Sequence, residues 1–168
     1  DNSDLAYFTN NNEIHNGVWM GYNWNKPGKW YNRLGTNINA HVLSLVSPID
    51  ILKRKSMMFE SFRFNYNVYG QFKNLWQFGL NLNAASVYND FYEPRVFGRV
   101  FHNKGRVGAN GEWNSNEAKK LSWGGNFFIG KGAVTNRRTF GWGLFGKIRF
   151  SSKFSVSVDA ADENNRDQ

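Results

Sequence analysis

A period of two runs through the chain almost without interruption from Ile14 to Ala160, and it constrains the fold more than any other feature. In the stretch 140–150 the even positions are Phe140, Trp142, Leu144, Gly146, Ile148 and Phe150, and the odd positions are Gly141, Gly143, Phe145, Lys147 and Arg149. Successive side chains of a β-strand point to opposite faces, so this alternation describes strands with two unlike surroundings. Runs of about ten residues with one aromatic or aliphatic face, and another rich in Asn, Gly, Lys and Arg, suit a sheet held between lipid and water. That is the pattern of a transmembrane β-barrel of the outer-membrane type.

Composition narrows the alternatives. A length of 168 residues suggests one domain. The chain contains no run of about 18 apolar residues, so no helix can cross a bilayer. An aromatic share of 17% is high for a soluble domain and suits the aromatic girdles of a barrel. With Cys 0, disulfides and thiolate metal sites are excluded. The net charge of +8 raises nucleic acid as a partner. The basic residues are dispersed, however, and their densest runs (Lys53-Arg54-Lys55, Lys119-Lys120, Arg137-Arg138) fall in expected turns or loops. Charged loops beside the headgroups of outer-membrane lipid explain them at least as well, and nucleic acid is not expected as a partner. The opening Asp1-Asn2-Ser3-Asp4 is already polar and carries no secretory leader pattern.

The alternation predicts about nine strands. They are placed at Ile14–Trp24, Asn32–Val46, Met58–Phe72, a fourth led by Trp76, Arg95–His102, one around Val107–Trp113, one from Leu121 to Ile129, Phe140–Phe150 and Phe154–Ala160. Pro27-Gly28, Pro48 and Pro94 mark breaks. Glu60 falls on the greasy side of the third strand, which is tolerable only at a strand end or beside a bulge. An odd strand count, connections that do not alternate cleanly between short and long, and a hydrophilic tail at 162–168 all point to part of a larger barrel. A bare sheet edge in hydrocarbon would cost several kcal/mol per unpaired group.

Three segments carry a family resemblance. Asn2-Ser3-Asp4-Leu5-Ala6-Tyr7 with Asn11-Asn12-Glu13, Tyr92-Glu93-Pro94-Arg95-Val96-Phe97-Gly98-Arg99, and the polar hairpin Asn114-Ser115-Asn116-Glu117-Ala118-Lys119-Lys120 together resemble the C-terminal barrel region of large Bacteroidota outer-membrane proteins. Those proteins carry a family-9-like carbohydrate-binding module ahead of the barrel. The resemblance implies an outer-membrane location and a barrel fold, and a glycan as ligand only through the upstream module.

Two polar groups are candidate sites. Glu93, Arg95 and Arg99 form either a ligand site at a pore mouth or a salt-bridged loop clamp, and turn chemistry favours the clamp. Arg63, Gln77, Asn81, Asn83, Arg106, Asn110, Glu112, Lys147 and Arg149 share the polar parity and are expected to line a lumen. Their amides and guanidinium groups suit sugar hydroxyls or anions, although a solvated interior whose groups satisfy one another explains them too. His15, His41 and His102 have no carboxylate or thiol at ligand spacing, so neither metal nor cofactor is expected. Glu60, Glu93, Glu112 and Asp159 select no catalytic pair, and no nucleophile elbow or phosphate loop is present, so no enzyme is expected.

The expected function is therefore an outer-membrane barrel component of envelope transport or binding, with a glycan as candidate solute. The alternatives are a non-transporting scaffold subunit beside other outer-membrane proteins, and a soluble β-sandwich of lectin-like type.

Overall fold

The structure is a computed structural model and describes residues 12–46, 57–91, 99–132 and 138–166. Ten antiparallel strands and no helix make up those residues. They are β1 (Glu13–Trp24), β2 (Tyr31–Val46), β3 (Met57–Phe72), β4 (Gln77–Ala85), β5 (Tyr88–Asp90), β6 (Phe101–Asn103), β7 (Arg106–Asn114), β8 (Leu121–Lys131), β9 (Arg138–Arg149) and β10 (Ser155–Arg166). Eight of them form one sheet in the order β1-β2-β3-β4-β7-β8-β9-β10, and β5 with β6 forms a separate hairpin. The chain is thus an up-and-down meander interrupted once, between β4 and β7.

Several expectations need correction. The main sheet has eight strands, not nine, because the segment expected as a strand at Arg95–His102 contributes only β6 among its described residues, and outside the sheet. The stretch before the expected break at Pro94, given no strand of its own by the alternation, contains β5. The tail does not begin at Asp162, because β10 continues to Arg166, which pairs with Arg138 of β9. Arg138, expected in a loop, starts β9. Residues 25–30, 73–76, 115–120 and 150–154 join strands at the short-turn end, and 47–56, 86–105 and 132–137 at the other, where the two longest connections lie; the lengths do not alternate cleanly, as expected, because 132–137 is no longer than 25–30 or 115–120. The sheet is not closed; the outer edges of β1 and β10 pair with no strand among the described residues.

The parity read from the sequence is kept across the pairings except where the β2–β3 register shifts, between Tyr31 and Arg33 and between Leu43 and Ser44. Residues opposite one another in an antiparallel pair share a face, so the register can be followed strand by strand. One row reads Met20, Ile38, Tyr66, Leu82, Ala109, Ile129 and Phe140 from β1 to β9. The next polar row reads Gly21, Asn37, Asn67, Asn81, Asn110, Phe128 and Gly141. One face is therefore mainly apolar and the other mainly polar, with Trp19, Tyr69, Phe128 and Phe145 as rings on the polar side. The apolar face has no second layer on it among the described residues: Val18 is 59% exposed, Ile129 54% and Leu80 38%, and the only buried apolar side chain is Leu45. The apolar face of the sheet is thus left exposed among the described residues.

The apolar stretches do not lie level with the hydrogen-bonded rows. On β1 they centre near Met20, while on the same face of β10 only Val156, Val158 and Ala160 are apolar, and Asp162 already pairs with Trp142. Followed through the pairings, the band drifts by about one residue per strand, which at about 3.3 Å per residue and 4.8 Å per strand is a tilt of roughly 35°. Strands crossing a bilayer in a barrel tilt by about this much. At the short-turn end the rings gather: Tyr22 contacts Trp24 (4.8 Å), Trp30 contacts Phe72 (5.9 Å), Trp76 contacts Trp123 (5.1 Å) and Phe150 contacts Phe154 (5.5 Å). Aromatic rings with one wet and one greasy side concentrate where water meets lipid.

Glycine lets flat side chains lie on the sheet. A Cβ on Gly124 would collide with the Trp113 carbonyl oxygen and stand 2.6 Å from Cζ of Phe145, whose ring lies across it. The β3–β4 turn shows the opposite economy. Phe72 N–H donates to Trp76 O (2.8 Å) and Leu75 N–H to Phe72 O (3.0 Å), which places Leu75 at φ 67, in the left-handed region that glycine or asparagine usually fills.

Candidate functional site

The polar face divides into three zones. The first is a ladder of amides. Asn67 donates through Nδ2 to Asn37 Oδ1 (2.7 Å) and Asn65 Oδ1 (3.0 Å), and accepts from Asn81 (2.7 Å). Asn39 donates to Asn65 (2.7 Å) and Asn37 (3.1 Å), Asn83 donates to Asn81 (3.0 Å), and so does Asn110 (3.1 Å). Seven side chains on β2, β3, β4 and β7 thus form one network, because the hairpin β5–β6 leaves the sheet and lets β7 pair directly with β4. An amide both donates and accepts, so a row of them can satisfy itself while keeping its surface polar. Asn81 and Asn83, expected to line a lumen, are members of this network.

The remaining lumen candidates sit around it. Arg63 and Arg106 both lie opposite Ala85, on either side of it, and His41 pairs with Arg63 in the same row. Lys147 lies between Ser122 and Ser157. Arg149 ends β9, and its side chain reaches the β7–β8 turn, donating to the Glu117 carbonyl (3.3 Å). Glu112 lies along β7 with its Cγ and Oε1 3.3 Å from where a Cβ of Gly79 would stand. Of the Glu-Pro-Arg segment, Arg99 is exposed, and Glu93 and Arg95 lie outside the described residues. The expected polar hairpin at Asn114–Lys120 is a turn held by Trp123 N–H to Ser115 Oγ (2.8 Å) and Ala118 N–H to Asn116 Oδ1 (2.9 Å).

The second zone is at the long-connection end, around Glu60. The β2–β3 register slips between Leu43 and Ser44, leaving Glu60 as the extra residue of a bulge. This resolves its parity misfit: the bulge turns it away from the apolar face toward Glu13 and His15. His15 Nε2 lies 3.0 Å from Glu13 Oε2. Glu60 is 0% exposed, under the β5–β6 hairpin. Asn89 of β5 donates to Phe59 O (3.0 Å), Ser86 Oγ accepts from Phe62 N–H (2.8 Å), and His102 of β6 approaches Asn89 Oδ1 (2.6 Å). Neither carboxylate oxygen has a hydrogen-bond partner of ordinary geometry, although the Tyr88 hydroxyl is near enough to favour the charged form.

Glu60 lies beyond the ten or so residues of β3, Phe62–Phe72, that carry the apolar band. Burial holds its carboxyl above the usual carboxylate range; Glu13 and Asp90 push the same way, and Tyr88 and His15 oppose them. Burial and the neighbouring Glu60 likewise hold the Tyr88 hydroxyl above its ordinary value. The sequence signalled this place only as a break in parity at Glu60; its partner hairpin was not legible. Among the described residues no three of His, Asp or Glu converge as a metal site.

The third zone is a cleft of about 500 Å³ at the short-turn end, lined among others by Asn23, Arg33, Tyr69, Gln71, Gln77 and Glu112. Of these, Gln77 and Glu112 were expected on the polar face of a lumen.

The family model described as Domain of unknown function (DUF5916) matches residues 1–168. The chain belongs to that family. No curated protein and no solved structure matches it.

Proposed function

We propose that this DUF5916 chain is the membrane-spanning sheet of an outer-membrane-type β-barrel, with its apolar face against lipid and its asparagine face lining a wet lumen through which polar solutes pass or in which they bind. The observation that carries this reading is the apolar face running over eight strands, uncovered by a second layer among the described residues and drifting across the rows as tilted strands require. The aromatic cluster at the short-turn end supports the same placement. A lectin-like sandwich would set a second sheet against the apolar face, so the reading favours the barrel. The resemblance to the barrel region of Bacteroidota outer-membrane proteins agrees with an envelope location.

The open edges of β1 and β10 favour closure by further strands, from the same polypeptide or from a neighbouring outer-membrane protein. A scaffold beside such a partner is the second reading, and the edges are what recommend it.

Spin labels in lipid bilayers test the proposal. Labels at Leu80 and Leu144 should relax with dissolved oxygen, and labels at Asn81 and Lys147 with an aqueous nickel complex. Aqueous relaxation at all of these positions would refute the lipid-facing assignment.

A further inference from the structure

The cleft at the short-turn end differs from the asparagine ladder in what its polar groups are doing. Arg33 pairs with Gln71, Gln71 with Gln77, and Gln77 with Asn114, so four polar side chains stand in one row across β2, β3, β4 and β7. Neighbours in such a row are about 4.8 Å apart, close to the length of one pyranose residue. The ladder amides are satisfied by one another, whereas the side chains of this row make no hydrogen bond within the described residues. Beside them lies Tyr69. Its ring rests on Gly35, where a Cβ would stand 2.6 Å from Cε2 and Cζ, and its hydroxyl donates to Asn23 Oδ1 (3.1 Å). The ring is thereby fixed flat with its outer side open, at 45% exposure.

We propose that this cleft binds a neutral oligosaccharide, with Tyr69 as the stacking platform and Arg33, Gln71, Gln77 and Asn114 as the hydrogen-bonding row. The chemistry selects the class. A sugar ring offers an apolar face to an aromatic surface and hydroxyls at its rim, and planar amides both donate to and accept from hydroxyls. Arg33 and Glu112 are the only charged groups lining the cleft among the described residues and offset each other, so nothing there favours a strongly anionic or cationic ligand. A cleft of about 500 Å³ lies within the usual range of small-ligand sites. The inference rests on the proposed function only in requiring the polar face to be wet.

The test uses the full chain purified in detergent and three neutral probes: maltohexaose, cellohexaose and chitohexaose, each titrated by calorimetry. At least one should bind saturably. Tyr69→Ala should weaken it roughly tenfold or more, as expected for losing an aromatic contact. Tyr69→Phe, which keeps the ring, should bind within about threefold of the unaltered protein and so reports that the fold is intact. Gln77→Ala should weaken binding, and Lys153→Ala, in the remote β9–β10 turn, should not. Saturation by none of the three probes, or equal affinity in Tyr69→Ala, overturns the proposal. Either result leaves the spin-label assignment of the lipid face standing, so the two readings fail separately.

Discussion

Replacing Glu60 by glutamine should convert a pH-sensitive contact between the β5–β6 hairpin and β3 into an insensitive one. The native carboxyl is fully buried, lacks an ordinary hydrogen-bond partner and has its pKa raised, chiefly by burial. Because the closed state favours the protonated form, its stability is fully present below the ordinary carboxylate pKa and is lost as pH rises through the raised value. Leaving a buried polar group unsatisfied costs about 1–3 kcal/mol, and more when it is charged. Local opening of the hairpin should therefore be about 5- to 150-fold more frequent at pH 8 than at pH 4 in the native protein. Glutamine has the same shape and no charge, so Glu60→Gln should remove this dependence and protect the hairpin at pH 8. Hydrogen exchange at the amides of Tyr88, Asn89 and Asp90, corrected for the intrinsic pH dependence of exchange, measures it. Equal native protection at both pH values, or an unchanged slope in Glu60→Gln, would show that the hairpin does not seal a carboxyl against water.

Leu144→Arg should destabilise the sheet in lipid by about 2–4 kcal/mol if it lies near the midplane, while Ser157→Arg on the polar face should cost little; urea titration in liposomes compares the two. Asn67→Ala removes the amide joined to Asn37, Asn65 and Asn81 and should cost about 1–3 kcal/mol in the same titration, more than Asn110→Ala, which loses one bond. Leu75→Gly should stabilise by about 1 kcal/mol, seen as a raised unfolding midpoint, because glycine occupies the left-handed region without the clash that leucine meets.

Strand identity and facing were legible in the amino-acid pattern because both are local: the pleat puts residues two apart on one side whatever the strand pairs with. The residues expected on the greasy face, from Met20 through Leu82 to Phe140, occupy one row of it. Register is not local, and what depended on it was decided only in the tertiary structure. Asp162–Arg166 reads as a polar tail in isolation and is strand because β9 extends beside it. The asparagines of β2, β3, β4 and β7 read as a scattered polar parity and form a ladder because β7 passes over the hairpin to pair with β4. Glu60 announced itself by breaking the period, but its burial came from Tyr88 and its neighbours, far along the chain, folding back over the bulge. The row of Arg33, Gln71, Gln77 and Asn114 is likewise spread over a long stretch of sequence and exists only because three pairings align it. A period of two fixes which way each side chain points, and hydrogen bonding between distant strands fixes which side chains meet.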